Sequence, residues 1–215
     1  MKQDIVLIGG GGHCKSCIDV VESTGIYSIA GIIDIPARRG EKVCGYPIIA
    51  SDEDLRPLAD QFHNFLITVG HIKSSDRREE LFNAVLSAGG SLPSVVASTA
   101  YVSPHASVAR GTIVMHHAFV NAAATVGEGC IINTAAIVEH DVVIEGFCHV
   151  STGAVVNGGS RVGACSFIGS NSCVKEGVRI GEHAMIGAGS VVISDVPAAH
   201  VFVGNPARAK GGAHG

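Results

Sequence analysis

Acids are scarce in the second half of this 215-residue chain, and one adjacent histidine–acid pair stands out there, His140-Asp141. It follows the run Ala135-Ala136-Ile137-Val138-Glu139. A neutral imidazole accepts a proton readily near pH 7, and a neighbouring carboxylate fixes its tautomer and stabilises the imidazolium. Such a pair suits proton removal from an attacking amine or hydroxyl. It equally describes a solvent-facing His and Asp on a strand edge. His149 lies nine residues on.

The first half carries a different chemistry. Ile5-Val6-Leu7-Ile8 runs into Gly9-Gly10-Gly11-Gly12-His13. A dinucleotide fingerprint needs Gly-x-Gly-x-x-Gly; the two possible frames end at Cys14 and Lys15, so no NAD site is expected. A glycine turn into a helix still presents backbone N–H groups and a positive dipole end, suited to phosphate or sugar oxygens. Gly11, Gly12 and His13 are therefore candidate substrate contacts. Asp34, 22 residues past Gly12 at the end of the next apolar run, is placed to accept from a ribose or base, and Gly70 ends a third strand facing the same cleft. Cys14-x-x-Cys17 has no second Cys-x-x-Cys to complete a zinc site, and Cys17 falls on an apolar helix face, which reads as small buried residues.

The elements that position these groups follow two periods. To about Ser98, strand-like runs (Ile5–Ile8, Ile29–Ile33, Phe65–Val69) alternate with helical patterns over His13 to about Glu22 and Asp76–Ser87. That order predicts a small Rossmann-like α/β unit with a parallel sheet. From Val102, every sixth residue through Val192 is Val or Ile, sixteen positions in all. With 24 Val and Ile among residues 102–192, chance would fill the series roughly once in a billion draws, and fixed periods mark repeat folds. Four residues after the aliphatic there is usually a small side chain such as Ala106, Ala118, Cys130 or Ala136, with Val142 and Val178 the largest members. Period six, rather than two, predicts a parallel β-helix of hexapeptides, with three strands and three corners to each turn of the coil. The expected division is 1–98 for the α/β domain and 99–215 for the β-helix and its tail.

Composition agrees with a scaffold of this kind. Hydrophobic residues make up 47% and aromatics only 5%, with 28 Gly and no Trp, so Val, Ile and Ala must build the core. Net charge is −4 with no basic run, which argues against a nucleic-acid partner. No stretch reaches the roughly 20 apolar residues of a membrane span, and the first residues read as a strand rather than a signal peptide. Seven scattered cysteines point to a reducing cytoplasm.

The hexapeptide period resembles the left-handed β-helix acyltransferases, and Gly204-Asn205-Pro206-Ala207-Arg208 resembles the tail found beyond their coils. Joined to the opening Gly9–His13, it is similar to the PglD/NeuD-like bacterial sugar acetyltransferases. The resemblance implies a homotrimer that uses acetyl-CoA to acetylate the amino group of a nucleotide-linked amino sugar for glycan biosynthesis. O-acetylation of a sialic-acid-like sugar and a non-catalytic sugar-nucleotide-binding protein are the alternatives. It further implies that His140 is the catalytic base and Asp141 its partner, with the nucleotide-sugar near Gly11, Gly12, His13 and Asp34. Relatives commonly carry two acids at the last position, whereas Asp34 is followed here by Ile35. Acetyl-CoA is expected near His149, Gly158, Ser170, Gly187 and Ala188. Arg208 is either a partner for a CoA phosphate or a plain surface charge. Consecutive hexapeptides lie on different faces, so His140, with Asn133, is expected to work against a cofactor surface partly supplied by an adjacent chain. Some β-helices hold zinc through a His pair five residues apart; His105, His116 and His117 form no such pair, and no metal is expected.

Overall fold

The computed structural model describes residues 2–210; residue 1 and residues 211–215 lie outside it. The N-terminal unit runs β1 (Gln3–Ile8), α1 (Gly12–Thr24), β2 (Tyr27–Ile33), β3 (Lys42–Val43), β4 (Tyr46–Ala50), α2 (Leu55–Ala59), β5 (Asn64–Ile67) and α3 (Asp76–Ser87). Its sheet has the order β3-β4-β2-β1-β5. Only β3, antiparallel to β4, departs from the parallel arrangement. Residues Ile5–Ile8 of central β1 are buried completely, as a parallel strand covered on both faces must be. The β3–β4 hairpin and α2 were not anticipated from the apolar pattern, because each is too short to show a period. A local signal was present nonetheless: Ser51 and Asp54 exchange bonds at the start of the turn that leads into α2.

The second unit is a left-handed parallel β-helix. Two-residue strands from three faces stack in register, each residue pairing with one 18 positions away, as in Ile131 with His149 and Phe119 with Ile137. Face one holds Val95–Val96, Ile113–Val114, Ile131–Ile132, His149–Val150, Phe167–Ile168 and Met185–Ile186; face two begins at Tyr101–Val102 and face three at Ser107–Val108. Face one thus starts at Val95, ahead of the division expected at Ser98. The second residue of each strand points inward, and Val120, Val138, Val156, Val174, Ile132 and Ile168 are wholly buried in one continuous column.

Corner geometry explains the glycines in two separate ways. Every sixth residue from Gly111 to Gly189, three past each aliphatic, has φ between 54° and 71°. That left-handed conformation suits Gly and is tolerated by Asp and Asn; Asp141 occupies one such position with φ 59°. Glycines directly after the aliphatic, expected to turn corners, instead permit close approach between coils. A Cβ on Gly163 would lie 2.5 Å from the backbone nitrogen of Glu182 in the next coil.

The α/β unit sits on face one. Cys14, Cys17 and Val21 of α1 share a core with Val95, Ile113, Met115 and Ile131 of the coil. Both cysteines are fully buried and all seven are unpaired; burial pushes the Cys14 thiol up to about 11, so it acts as a small apolar group. No helix among the described residues is long and apolar enough to cross a membrane. Removing a side chain from the column should be costly. Ile168→Ala is expected to destabilise the fold by about 2–5 kcal/mol, read from urea unfolding.

Candidate active site

The loop between β1 and α1 opens at the carboxyl ends of the strands, where ligands of open α/β sheets bind. It forms a cleft of about 350 Å3 lined by Gly9–His13, Asp34, Ile35, Arg38 and Thr68–Gly70. Backbone N–H groups at the start of α1 and the helix dipole make this end attractive to an anion. Asp34 lines the cleft as expected but is already engaged. Its Oδ2 accepts the Gly10 N–H at 3.0 Å and pairs with the Arg38 guanidinium, while Oδ1 accepts the Ile35 N–H at 2.8 Å. Through these bonds Asp34 also ties the glycine loop to the end of β2. Arg38 was overlooked, although its place four residues after Asp34 marks an acid–base pair. Ile35, 54% exposed, gives the cleft an apolar wall.

A second cleft, of about 470 Å3, lies between the units and is lined by His13, Gly70, His71, Ile72 and His149. His149 opens a strand of face one and its ring is fixed from both sides. Nδ1 donates to the His71 carbonyl at 2.8 Å, and Nε2 accepts from the Asn133 amide at 3.0 Å. Asn133, expected beside His140, thus belongs with His149. Phe167, one coil further on, lies against the His149 ring at 5.2 Å between centroids.

Beneath this cleft Arg78 is buried to 1% exposure. Its guanidinium donates to the carbonyls of Ile67, Val69 and, across the seam, Gly129 at 2.9 Å. Among the described residues no carboxylate pairs with it, so main-chain carbonyls take its Nη donors while Nε stays buried without a partner, and burial lowers its pKa to about 10. Neither Arg78 nor His71 was singled out beforehand. Arg78 had a signal: it lies on the same helical stripe as Leu81, Phe82 and Val85 of α3.

His140 stands elsewhere. It follows Val138 of face two, at the corner leading to face three, while His149 is on face one. Both His140 and Asp141 are largely exposed, and Nδ1 donates to Asp141 Oδ2 at 2.8 Å. No residue among those described bonds Nε2. The ring lies over Gly158 of the next coil, where an added Cβ would meet Cε1 at 2.6 Å and Nε2 at 2.7 Å. Only glycine leaves the imidazole that space.

The remaining candidates separate by corner. Gly158 stacks below His140, whereas Ser170, Gly187 and Ala188 follow face one in the same corner column as Asn133. Ser170 Oγ bonds Ser151 Oγ at 2.9 Å. Gly187 is covered by the tail strand Val201–Val203, with Val203 at 2.7 Å from where its Cβ would be. Arg208 is exposed on the last strand, Arg208–Ala209, and donates to the Ala207 carbonyl at 2.9 Å. No three His, Cys, Asp or Glu side chains converge as metal donors among the described residues.

Desolvation holds the interdomain imidazoles neutral. Burial, reinforced by the Arg78 charge, lowers His13 to about 4 and His71 to about 3; burial above all lowers His149 to about 4. Each titrates near 6.5 when unfolded, so between these values the unfolded chain binds more protons. Their contribution to stability is complete above about pH 6.5 and is lost as the pH falls toward 4. His149→Gln is expected to flatten the pH dependence of urea unfolding in that window by about 1.4 kcal/mol per pH unit.

Comparison with known proteins covers both units. The profile of the PglD N-terminal domain matches residues 4–85, and that of the bacterial transferase hexapeptide (six repeats) matches residues 159–194. No curated protein sequence matches. The acetyltransferase domain of PglB from Neisseria gonorrhoeae FA1090, solved with acetyl coenzyme A, is 30% identical with a TM-score of 0.90, over 98% of this chain and 100% of that one. A variant of perosamine N-acetyltransferase from Caulobacter crescentus, solved with CoA and GDP-perosamine, is 31% identical with a TM-score of 0.91, over 97% of each chain. WeeI from Acinetobacter baumannii AYE, at 23% identity and a TM-score of 0.86 over 97% of this chain and 100% of that one, shares the fold. From its glycine loop to its last coil, the chain belongs to the PglD/NeuD-like family of left-handed β-helix acetyltransferases.

Proposed function

We propose that this enzyme transfers the acetyl group of acetyl-CoA to the amino group of a nucleotide-linked amino sugar, in bacterial glycan biosynthesis. The observation that carries this reading is the His140–Asp141 pair, exposed at a coil corner with Nδ1 committed to the carboxylate and Nε2 open. As the amine attacks the thioester carbonyl, Nε2 takes its proton; the C–S bond then breaks, and the imidazolium returns that proton to the sulfur so that CoA leaves as the thiol. Asp141 holds the tautomer that keeps Nε2 an acceptor and stabilises the imidazolium. Among the described residues no cysteine thiol is bonded to an imidazole, and Cys165 meets only the Glu79 carboxylate, at 3.3 Å; direct transfer needs no acyl-enzyme. Residues 1–98 hold the nucleotide-sugar, with the phosphates on Gly11 and Gly12 at the start of α1 and with His13, Asp34 and Gly70 around them. Residues 99–215 hold acetyl-CoA.

The quaternary proposal follows from the corners. His140 and Gly158 stand on one edge of the triangular coil, and Asn133, Ser170, Gly187 and Ala188 on another. A thioester that touches both columns, with His149 near its reacting end and Arg208 near its phosphates, must lie between two chains. A homotrimer closes that arrangement with three equivalent sites. Seven unpaired cysteines favour the cytoplasm, where acetyl-CoA and sugar nucleotides are made.

Thiol release from acetyl-CoA across UDP-, GDP- and dTDP-linked amino sugars and free sialic acids is expected only with an amino sugar nucleotide; turnover confined to sialic acid would overturn the proposal. His140→Ala should lower kcat by about 10²–10⁴-fold while acetyl-CoA binding is retained. Sedimentation should give about three times the chain mass; a mass of one chain would contradict a site shared between subunits.

A further inference from the structure

One polar recess takes no part in the roles above. It lies where α1 crosses the corners after face one, has a volume of about 440 Å3, and is lined by Ser16, Asp19, Met115, His116, His117 and Thr134. His116 is approached from two sides: Nδ1 is 2.7 Å from the Thr99 hydroxyl and Nε2 is 3.1 Å from Asp19 Oδ2. Thr99 Oγ1 also accepts the His117 N–H at 3.3 Å. With its own hydrogen donated to Nδ1, the ring proton sits on Nε2, facing the carboxylate. That contact is close enough for charge attraction but bent outside hydrogen-bond geometry, so the buried N–H lacks a well-directed acceptor. The carboxylate of Asp19 is three-quarters exposed. An ordinary solvated acid on a helix surface would not face a fixed imidazole across a seam, with a hydroxyl on each wall.

The position relative to the glycine loop is informative. At 1.5 Å per residue, Ser16 and Asp19 lie about 6 and 10 Å along α1 from its first residue, so a sugar carried by a diphosphate at that helix end reaches them by folding back along the helix flank. His13, one turn before Ser16, lines the cleft with His149. Thr134 adjoins Asn133, whose amide bonds His149. A phosphate is disfavoured here by the carboxylate, and the exposed lining offers an apolar group little. Vicinal hydroxyls suit it: a carboxylate accepts from two of them, and serine and threonine both donate and accept.

We propose that this recess binds the ring hydroxyls of the acceptor sugar, with Asp19 as principal acceptor, held by His116, and with Ser16 and Thr134 as flanking contacts. It would determine which sugar, rather than which nucleotide, the enzyme takes. The proposal rests on the nucleotide-sugar reading above.

Its test is calorimetric titration of the full chain with GDP, UDP and dTDP, each free and carrying a 4-amino-4,6-dideoxyhexose. At least one sugar is expected to bind more tightly than its free nucleotide. Asp19→Asn should reduce that gain about tenfold and leave free-nucleotide and acetyl-CoA affinities within about twofold. No gain from any sugar in the wild type, or an undiminished gain in Asp19→Asn, overturns the proposal. If Asp19→Asn weakens every ligand alike through misfolding, Ser16→Ala and Thr134→Val decide: a smaller sugar gain supports the subsite, and an unchanged one overturns it. Acetyl transfer, followed in parallel, separates the two readings, since Asp19-dependent sugar binding without turnover would refute the enzymatic proposal and retain the recess.

Discussion

Everything in the second unit depends on burying one aliphatic side chain every six residues. A single Val or Ile removed from water contributes about 1.5–3 kcal/mol, and the column repeats that gain through every face of the coil. The same burial sets the register. A slip of one residue would turn the aliphatics outward and bring the polar corner residues in. Once the register is set, residues 18 apart must stack, and functional columns appear as a consequence. His140 meets Gly158 because their positions in the repeat coincide one coil apart. His149 meets Phe167 for the same reason.

The seam between the units obeys a different constraint. Arg78 is a cation with no anion beside it among the described residues, its two Nη groups bonded to carbonyls of Ile67, Val69 and the Gly129 corner. Burying an unpaired charge is costly unless hydrogen bonds replace its hydration, so those carbonyls must be held in place. The strand-end loop is thereby fixed against the coil. Gly70 and His71 follow directly from that loop, and the His71 carbonyl fixes the ring of His149. The wall of the glycine-loop cleft and the imidazole on face one are thus joined through one set of hydrogen bonds. Burial there keeps three imidazoles neutral, whereas His140, on another edge, is exposed.

Much of this was legible in the chain itself, for reasons particular to each element. The β-helix announced itself because its period is six and unbroken. Helix α3 was read to its ends, Asp76–Ser87, since its apolar spacing begins and stops cleanly. The hairpin Lys42–Ala50 and α2 escaped because they are shorter than a period. Asp34 was found as a cleft residue, yet its partners Gly10 and Arg38 were not, as both bonds arise from the packing of the loop. The bond between Asn133 and His149 was not legible because a side chain's partner across 16 residues depends on the stacking of coils. Arg78 looked like a misplaced charge on an apolar stripe, and only the carbonyls around it make sense of that.

The amino-acid sequence alone thus determined the two-unit architecture, the inward column and the His140–Asp141 pair, since each rests on local spacing or on a repeat that sequence displays directly. The tertiary structure decided which imidazoles are buried and neutral, what occupies Asp34, and how the recess beside Asp19 is built. Those outcomes are set by groups distant in the chain that share one desolvated space, and no spacing along the sequence encodes that proximity.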